Sequence, residues 1–267
     1  VGVLTTAQIS KLTQKQVQAL ETADLAGLTT AQIPSMSDEQ VAWLTTAQVA
    51  SLKPAQVTAF TSSQIAAIEK VDLVVLNSAQ VVALSTEQMQ ALTADQVAVF
   101  TTEQIVALKS DQLAALDTDR IQALTTAQIQ SLVTSQVAAL TETQIGALFT
   151  QQVSALETAD MAALRQVQLT TLDTTQFSTL STAQINALSA TQFAGITTEQ
   201  LQAIQTTKIT SLSFDKLQAL NALHIAAFTT DQIAALSTAQ FNSLLDTQLP
   251  SLDTAQVRAL TSDDLQS

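Results

Sequence analysis

The sequence lacks cysteine and tyrosine, and its 267 residues include only one histidine, one tryptophan, three prolines and four glycines. Without cysteine the chain forms neither disulfides nor thiolate metal sites. A lone histidine, His224, leaves no partner for a transition-metal cluster or for a nucleophile–base pair of the usual kind. Four scattered glycines cannot build a phosphate-binding loop. These absences predict a protein that is not an enzyme and that holds no cofactor or metal ion.

Charge is also scarce, because only 12% of the residues are charged, and the net charge is −13. An acidic field of this size opposes nucleic acid and anionic membrane surfaces. No run of about 18 apolar residues is present, so we expect no membrane insertion. An apolar content of 46% nevertheless favours an ordered chain over a disordered one.

What the sequence does have is a repeat of eight residues. If Leu4 is called position one, every eighth residue through Leu260 is Leu, Ile, Phe or Met, without a single insertion or deletion. Residues 1–267 are therefore predicted to form one continuous repeat domain. The chain starts at Val1 in mid-repeat, and we interpret it as a mature form or as a segment of a longer protein.

The repeat contains the signals for one short helix per octad. Position two is commonly Thr, Ser, Asp or Asn and position five is usually Gln, which is the spacing of a helix capping box. The apolar residues at positions one and six then form the hydrophobic staple across the same helix start. Each helix is expected over positions three to eight, with Pro54 at its favoured first position and with Pro34 and Pro250 shortening their octads to about a single turn.

A single long helix is excluded, because eight residues at about 100° each shift the apolar stripe by roughly 80° per octad. The predicted fold is therefore all-α, a solenoid or superhelix of about 33 short capped helices, one per eight-residue repeat. Helices this short are unstable alone and must be stabilised by stacking on their neighbours. A β-solenoid is the main alternative, disfavoured by the scarcity of Gly and Asn and by the lack of period-two alternation.

Acidic residues fall only at positions two to five, where carboxylates suit the start of a helix. Capping therefore explains them better than a calcium site, whose loop pattern is missing. Capping also explains the repeated Thr pairs, which otherwise invite comparison with ice-binding solenoids. His224 stands at position five, and we interpret it as a capping or surface substitute for Gln.

Departures from the consensus are the candidate functional positions. Gln at position five is replaced at Asp24, Asp72, Arg120, Asp160, Lys208, Lys216, His224 and Asp264, several of them 48 residues apart, as an older duplication unit or a superhelical period would produce. Apolar residues at normally polar positions two to four are candidate partner contacts or the result of neutral drift. The candidate contacts are Val71, Val133, Phe149, Phe214, Leu223 and Leu245, and Val167 belongs to the same class.

The sequence Leu-Thr-Thr-Ala-Gln-Ile at Leu28–Ile33, which recurs from Leu124 and almost unchanged from Leu44, resembles low-complexity arrays of very large bacterial exported proteins. Such arrays are often described as adhesin-like, haemolysin-like or haem-utilisation proteins. The resemblance implies an extracellular or cell-surface setting and carries over no functional residue. We expect a structural role as a stalk, spacer or filament-forming element that self-associates end to end or laterally. The alternative is a binding or adhesion module whose surface holds a peptide, a glycan or a partner protein.

Overall fold

The computed structural model describes residues 4–261, and within them the chain is entirely helical, with thirty α-helices, two short 3-10 helices and no strand. The all-α helical repeat solenoid predicted from the octads is confirmed. The helix predicted for the last octad falls on residues 262–267, which lie outside the described residues. The chain divides into two compact units, Val1–Leu140 and Thr141–Ser267.

The first unit has a 3-10 helix at Ile33–Ser35, between α3 and α4. Its α-helices are α1 (Thr6–Ile9), α2 (Gln14–Gln18), α3 (Thr22–Ala26), α4 (Asp38–Ala42), α5 (Thr46–Ser51), α6 (Pro54–Ala59), α7 (Ser62–Ala67), α8 (Lys70–Leu73), α9 (Ser78–Val82), α10 (Thr86–Ala91), α11 (Ala94–Ala98), α12 (Thr102–Ala107), α13 (Ser110–Ala114), α14 (Thr118–Ala123), α15 (Thr126–Ser131) and α16 (Thr134–Ala139).

The second unit has its 3-10 helix at Leu249–Ser251, between α29 and α30. Its α-helices are α17 (Glu142–Ala147), α18 (Thr150–Ala155), α19 (Thr158–Ala163), α20 (Gln166–Thr171), α21 (Thr174–Thr179), α22 (Thr182–Ala187), α23 (Ala190–Ala194), α24 (Thr198–Gln202), α25 (Thr206–Ile209), α26 (Phe214–Ala219), α27 (Ala222–Ala227), α28 (Thr230–Ala234), α29 (Thr238–Asn242) and α30 (Thr254–Ala259).

Helix α12 shows how an octad folds. Thr101, at position two, is extended, and its hydroxyl accepts a hydrogen bond from the amide of Gln104 at 3.2 Å. The Gln104 side chain in turn accepts from the Thr101 amide at 2.9 Å, which completes the capping box. The helix ends at Ala107, before Leu108 at the next position one, whose φ of −59° and ψ of 139° are not helical. The predicted start, cap and end of the helix are confirmed.

The chain reverses between helices without glycine turns. Between α6 and α7, for example, Phe60 at position one and Thr61 at position two are both extended, and none of the described residues has a positive φ. Two extended residues per octad therefore redirect each helix, which explains how four glycines suffice for the whole chain.

The prolines act as their positions predict. Pro34 and Pro250 lie in the two 3-10 helices, because proline has no amide hydrogen for the internal α-helical bond. Pro54 is the first residue of α6, where that hydrogen is not needed.

Apolar residues at positions one and six form the core of each unit. In the first unit Ile105 and Leu108 are buried, as are Phe177 and Leu180 in the second. The most extensive helix contacts join elements three octads apart, such as α11 with α14 and α19 with α22. The inward apolar pair predicted from the sequence is confirmed, and successive coils of the solenoid stack through it.

Candidate functional site

Position five is the most distinctive polar position of the fold. Its glutamines are buried in most octads of both units, as at Gln64, Gln80 and Gln232. A buried amide has to find partners for both its oxygen and its nitrogen, since an unpaired polar group inside a protein is costly. The capping box provides a hydrogen-bond partner for the side-chain oxygen but none for the side-chain nitrogen.

The amide nitrogen provides the link between coils. Gln64 Nε2 donates to the carbonyls of Ile33 at 3.2 Å and Met36 at 2.6 Å, while its Oε1 accepts from the Thr61 amide at 2.8 Å. In the second unit Gln232 Nε2 likewise donates to the position-six carbonyl of Leu201, at 2.9 Å, and to a position-one carbonyl. Each of these side chains caps its own helix and binds the preceding coil.

These contacts repeat with fixed sequence separations of 31 and 28 residues. We call the position-five side chains and the carbonyls they bind the glutamine ladder. Since 28 residues are 3.5 octads, one coil takes between three and four octads. This second role of the glutamine was not predicted from the octad.

The ladder does not depend on the capping residue. Val133 has no side-chain acceptor, yet its amide still donates to Gln136 Oε1 at 2.9 Å. The amide of Leu245 likewise donates to Gln248 Oε1 at 2.8 Å. Glutamine therefore holds the helix start even where position two is apolar.

Basic replacements at position five keep a donor to the preceding coil. Arg120 Nε donates to the Leu92 carbonyl, and its guanidinium also pairs with the Asp117 carboxylate. Lys208 and Lys216 each donate Nζ to a position-seven carbonyl 30 residues earlier, at 2.8 and 3.0 Å. Burial lowers the pKa of both lysines.

His224 corrects one interpretation made from the sequence. It is not a surface substitute, because only 6% of the residue is exposed, and its Nε2 lies 2.8 Å from the Ile196 carbonyl. Its Nδ1 is buried without a hydrogen-bond partner. From the sequence, His224 was interpreted as a capping or surface substitute because position five tolerates Asp, Lys and Arg, and its burial excludes the surface alternative.

Two buried acidic replacements, Asp72 and Asp160, differ from the basic ones. Asp160 accepts a hydrogen bond from the Glu157 amide at 3.1 Å, so it keeps the capping half of the glutamine's role. An ionised carboxylate has no hydrogen to donate, which leaves the other half unfilled. Burial raises the pKa of Asp160 and also that of Asp72, and neighbouring Glu157 and Glu69 raise them further.

Three glutamates in first helical turns behave as the capping explanation expects. The main-chain amide of Glu103 and the Thr101 hydroxyl lower the pKa of the Glu103 carboxyl. Glu87 and Glu199 have their pKa lowered by the same kinds of partner. These three carboxylates are therefore stabilised in their charged form.

All the candidate contact residues are exposed in the structure. The exposed fraction reaches 61% for Val71 and 73% for Leu223. Val71 and Val133 lie in the first unit, whereas the others lie in the second, and these others are Phe149, Phe214, Leu223 and Leu245. Their role in binding a partner stays a prediction.

Val71 is the candidate contact that borders a surface cavity. The cavity has a volume of about 440 Å³ and is lined by Ala66, Ile68, Glu69, Lys70, Val71, Thr93, Asp95 and Gln96. Lys70 Nζ lies 3.0 Å from the Asp95 carboxylate at its rim, in an exposed ion pair. The octad from Ile68 to Val75 thus combines an exposed apolar residue with a buried Asp72 in place of glutamine.

Clusters of metal-ligating side chains and membrane-spanning helices are both absent from residues 4–261. Within this range no three His, Asp or Glu side chains come together in a way that could hold a metal ion. None of the helices there combines the length and the apolar character that a membrane span requires.

Comparison with known proteins identifies the repeat itself. The sequence model of the ALTTAQ repeat matches residues 17–54, 65–102, 98–126, 113–150, 153–190 and 215–245. No curated protein matches the chain. The matched segments cover well over half of the chain, in both compact units. The chain therefore belongs to the ALTTAQ repeat family.

Proposed function

We propose that this chain has a structural, non-enzymatic role as a stalk, spacer or filament-forming element of a bacterial surface structure. The observation that carries the proposal is the glutamine ladder, which joins coil to coil with the same separations of 31 and 28 residues in both units. Length in such a fold is set by the number of octads, as a spacer requires. The resemblance to bacterial exported arrays supports the surface setting.

Location is tested on the source bacterium with antibodies against the purified chain. Labelling of intact cells, lost after brief treatment with an external protease, is the result expected of a surface element. Labelling that appears only after the cells are lysed would overturn the extracellular assignment.

Assembly is tested with the purified chain itself. If the chain self-associates, electron microscopy and sedimentation over a hundredfold range of concentration should show oligomers or filaments that grow with concentration. Dispersed monomers at every concentration would overturn the filament role and leave that of a stalk or spacer.

The second candidate function is a binding module for a peptide, a glycan or a partner protein. It is favoured by the cavity beside Val71, where apolar side chains adjoin the Lys70–Asp95 ion pair. Its test is binding to peptide and glycan arrays by the native chain and by Val71→Thr, with Phe149→Thr, Phe214→Thr and Leu245→Thr for the other contacts. Binding that is lost in one of these folded variants supports the module, and unchanged binding removes its basis.

A further inference from the structure

Asp72 is a carboxylate in a place that the fold builds for a hydrogen-bond donor. In the octads on either side, Gln64 and Gln80 each put an amide nitrogen between two carbonyls of the preceding coil. For Gln80 those distances are 3.1 Å to Val49 and 2.8 Å to Leu52. The residues 31 and 28 positions before Asp72 are Val41 and Leu44. The repeat therefore places their carbonyls opposite the Asp72 side chain.

Asp72 brings a negative charge to this place and no hydrogen-bond donor. Only 3% of the residue is exposed, and the Thr46 side chain donates a hydrogen bond to its carboxylate. Within the described residues no donor reaches the Leu44 carbonyl. Aspartate is also one methylene shorter than glutamine, so it leaves space where the amide nitrogen lies in the neighbouring octads.

Oxygen atoms with free lone pairs are the ligands that hard cations prefer. Three groups contribute them here, namely the Asp72 carboxylate, the Leu44 carbonyl and the Thr46 hydroxyl. The fourth is the Val41 carbonyl, which accepts from the Leu44 amide at 3.1 Å and keeps a second lone pair. The set has a single negative charge, so a monovalent ion neutralises it, whereas a divalent ion leaves a buried excess of positive charge. Glu69 is exposed to solvent and is not needed for this balance.

We propose that Asp72, with the carbonyls of Val41 and Leu44 and the Thr46 hydroxyl, forms a binding site for a monovalent metal cation between two coils. The cation takes the place of the amide nitrogen of the missing glutamine. Basic replacements need no such ion, because Arg120 and Lys216 bring their own charged donors. The site is independent of the structural role proposed above.

The test compares thermal unfolding of the native chain in sodium, potassium and tetramethylammonium chloride at equal ionic strength and pH 7. We expect sodium or potassium to raise Tm by about 2–4 °C over tetramethylammonium, since a ligand that binds only the folded state stabilises it. In tetramethylammonium chloride the Asp72→Gln variant should have a higher Tm than the native chain, and its Tm should be the same in all three salts. Asp231→Asn, which removes one exposed charge, should keep the native difference in Tm between the salts.

Direct binding is measured by broadening of the sodium-23 resonance, which the native chain should cause more strongly than Asp72→Gln. Equal Tm in all three salts, or a salt difference that persists in Asp72→Gln, would overturn the site. Stabilisation by calcium alone would overturn its monovalent assignment. Stabilisation by acid with no response to metal ions would show that a proton occupies the gap instead, and would equally overturn the proposal.

Discussion

The side-chain amide of Gln104 donates to the main-chain carbonyl of Leu76 at 2.7 Å, although 28 residues separate them in the sequence. The same nitrogen donates to the Leu73 carbonyl at 2.8 Å, and Oε1 accepts from the Thr101 amide. One buried side chain thus satisfies three main-chain groups in two coils. The isosteric change Gln104→Glu keeps the acceptor and removes both donors.

We expect Gln104→Glu to lower the free energy of unfolding by at least about 2 kcal/mol, because it leaves a buried charge facing two carbonyls that have lost the amide donor. Urea unfolding at pH 7 measures the change. The matched control is Gln90→Glu on the exposed side of α10, which should stay within about 0.5 kcal/mol of the native chain. Equal losses in the two variants would mean that the ladder adds nothing to stability.

The prolines offer a second matched pair. Pro34→Ala restores the amide hydrogen of a shortened octad, so the 3-10 helix can become an α-helix and the free energy of unfolding should rise by about 1–2 kcal/mol. Pro54→Ala loses no hydrogen bond but frees the unfolded chain, so it should cost about 0.4–1 kcal/mol. Calorimetry and far-UV circular dichroism measure stability and helix content. A loss of stability in Pro34→Ala would contradict this explanation of the short helix.

Val133 lies at a cap position without a side-chain acceptor. Val133→Thr should stabilise the chain by roughly 1 kcal/mol, because its hydroxyl can accept from the Gln136 amide. Thr125 makes the corresponding bond to the Gln128 amide at 3.2 Å, so Thr125→Val should lose a similar amount. Chemical denaturation of both variants checks the pair, and changes of the same sign would refute the cap assignment.

Asp160 predicts a dependence of stability on pH. Because burial raises its pKa, the folded chain binds the proton more tightly than the unfolded chain, and acid removes a destabilising charge. Asp160→Gln keeps the acceptor for the Glu157 amide without the charge. This variant should be the more stable at pH 7, and its advantage should shrink as pH falls through the raised pKa towards the ordinary value of 3.8.

Denaturation at several pH values between 7 and 3.5 measures this difference between Asp160→Gln and the native chain. Asp231→Asn serves as the control for the loss of one acidic residue, since Asp231 is exposed. An advantage of Asp160→Gln that stays constant, or that grows in acid, would contradict the sign argued here.

The octad was sufficient to predict the helices, because caps, staples and prolines act within one repeat. Thr101, Pro34 and Pro54 behave as local chemistry dictates. The partners of Gln104 could not be predicted in the same way, since a separation of 28 residues depends on how the coils stack. Burial of His224 was missed for the same reason.

A signal for the ladder was nevertheless present in the sequence. A capping box accepts Glu as readily as Gln at its last position. This chain has 23 acidic residues, yet Glu never occupies position five. The exclusion of an isosteric acid indicates that the amide hydrogens themselves are needed, which is what Gln64 and Gln232 show.

The direction of the ladder bears on how the chain folds. Each ladder glutamine donates to carbonyls that come earlier in the sequence, as Gln40 does to Ile9 and Leu12 and Gln240 to Ile209 and Leu212. A chain that leaves a ribosome or a pore amino end first therefore has its acceptors in place before each new donor arrives. Folding can then proceed one coil at a time as the chain emerges. At any moment only the newest coil, of about 30 residues, lacks the hydrogen bonds that the next coil donates.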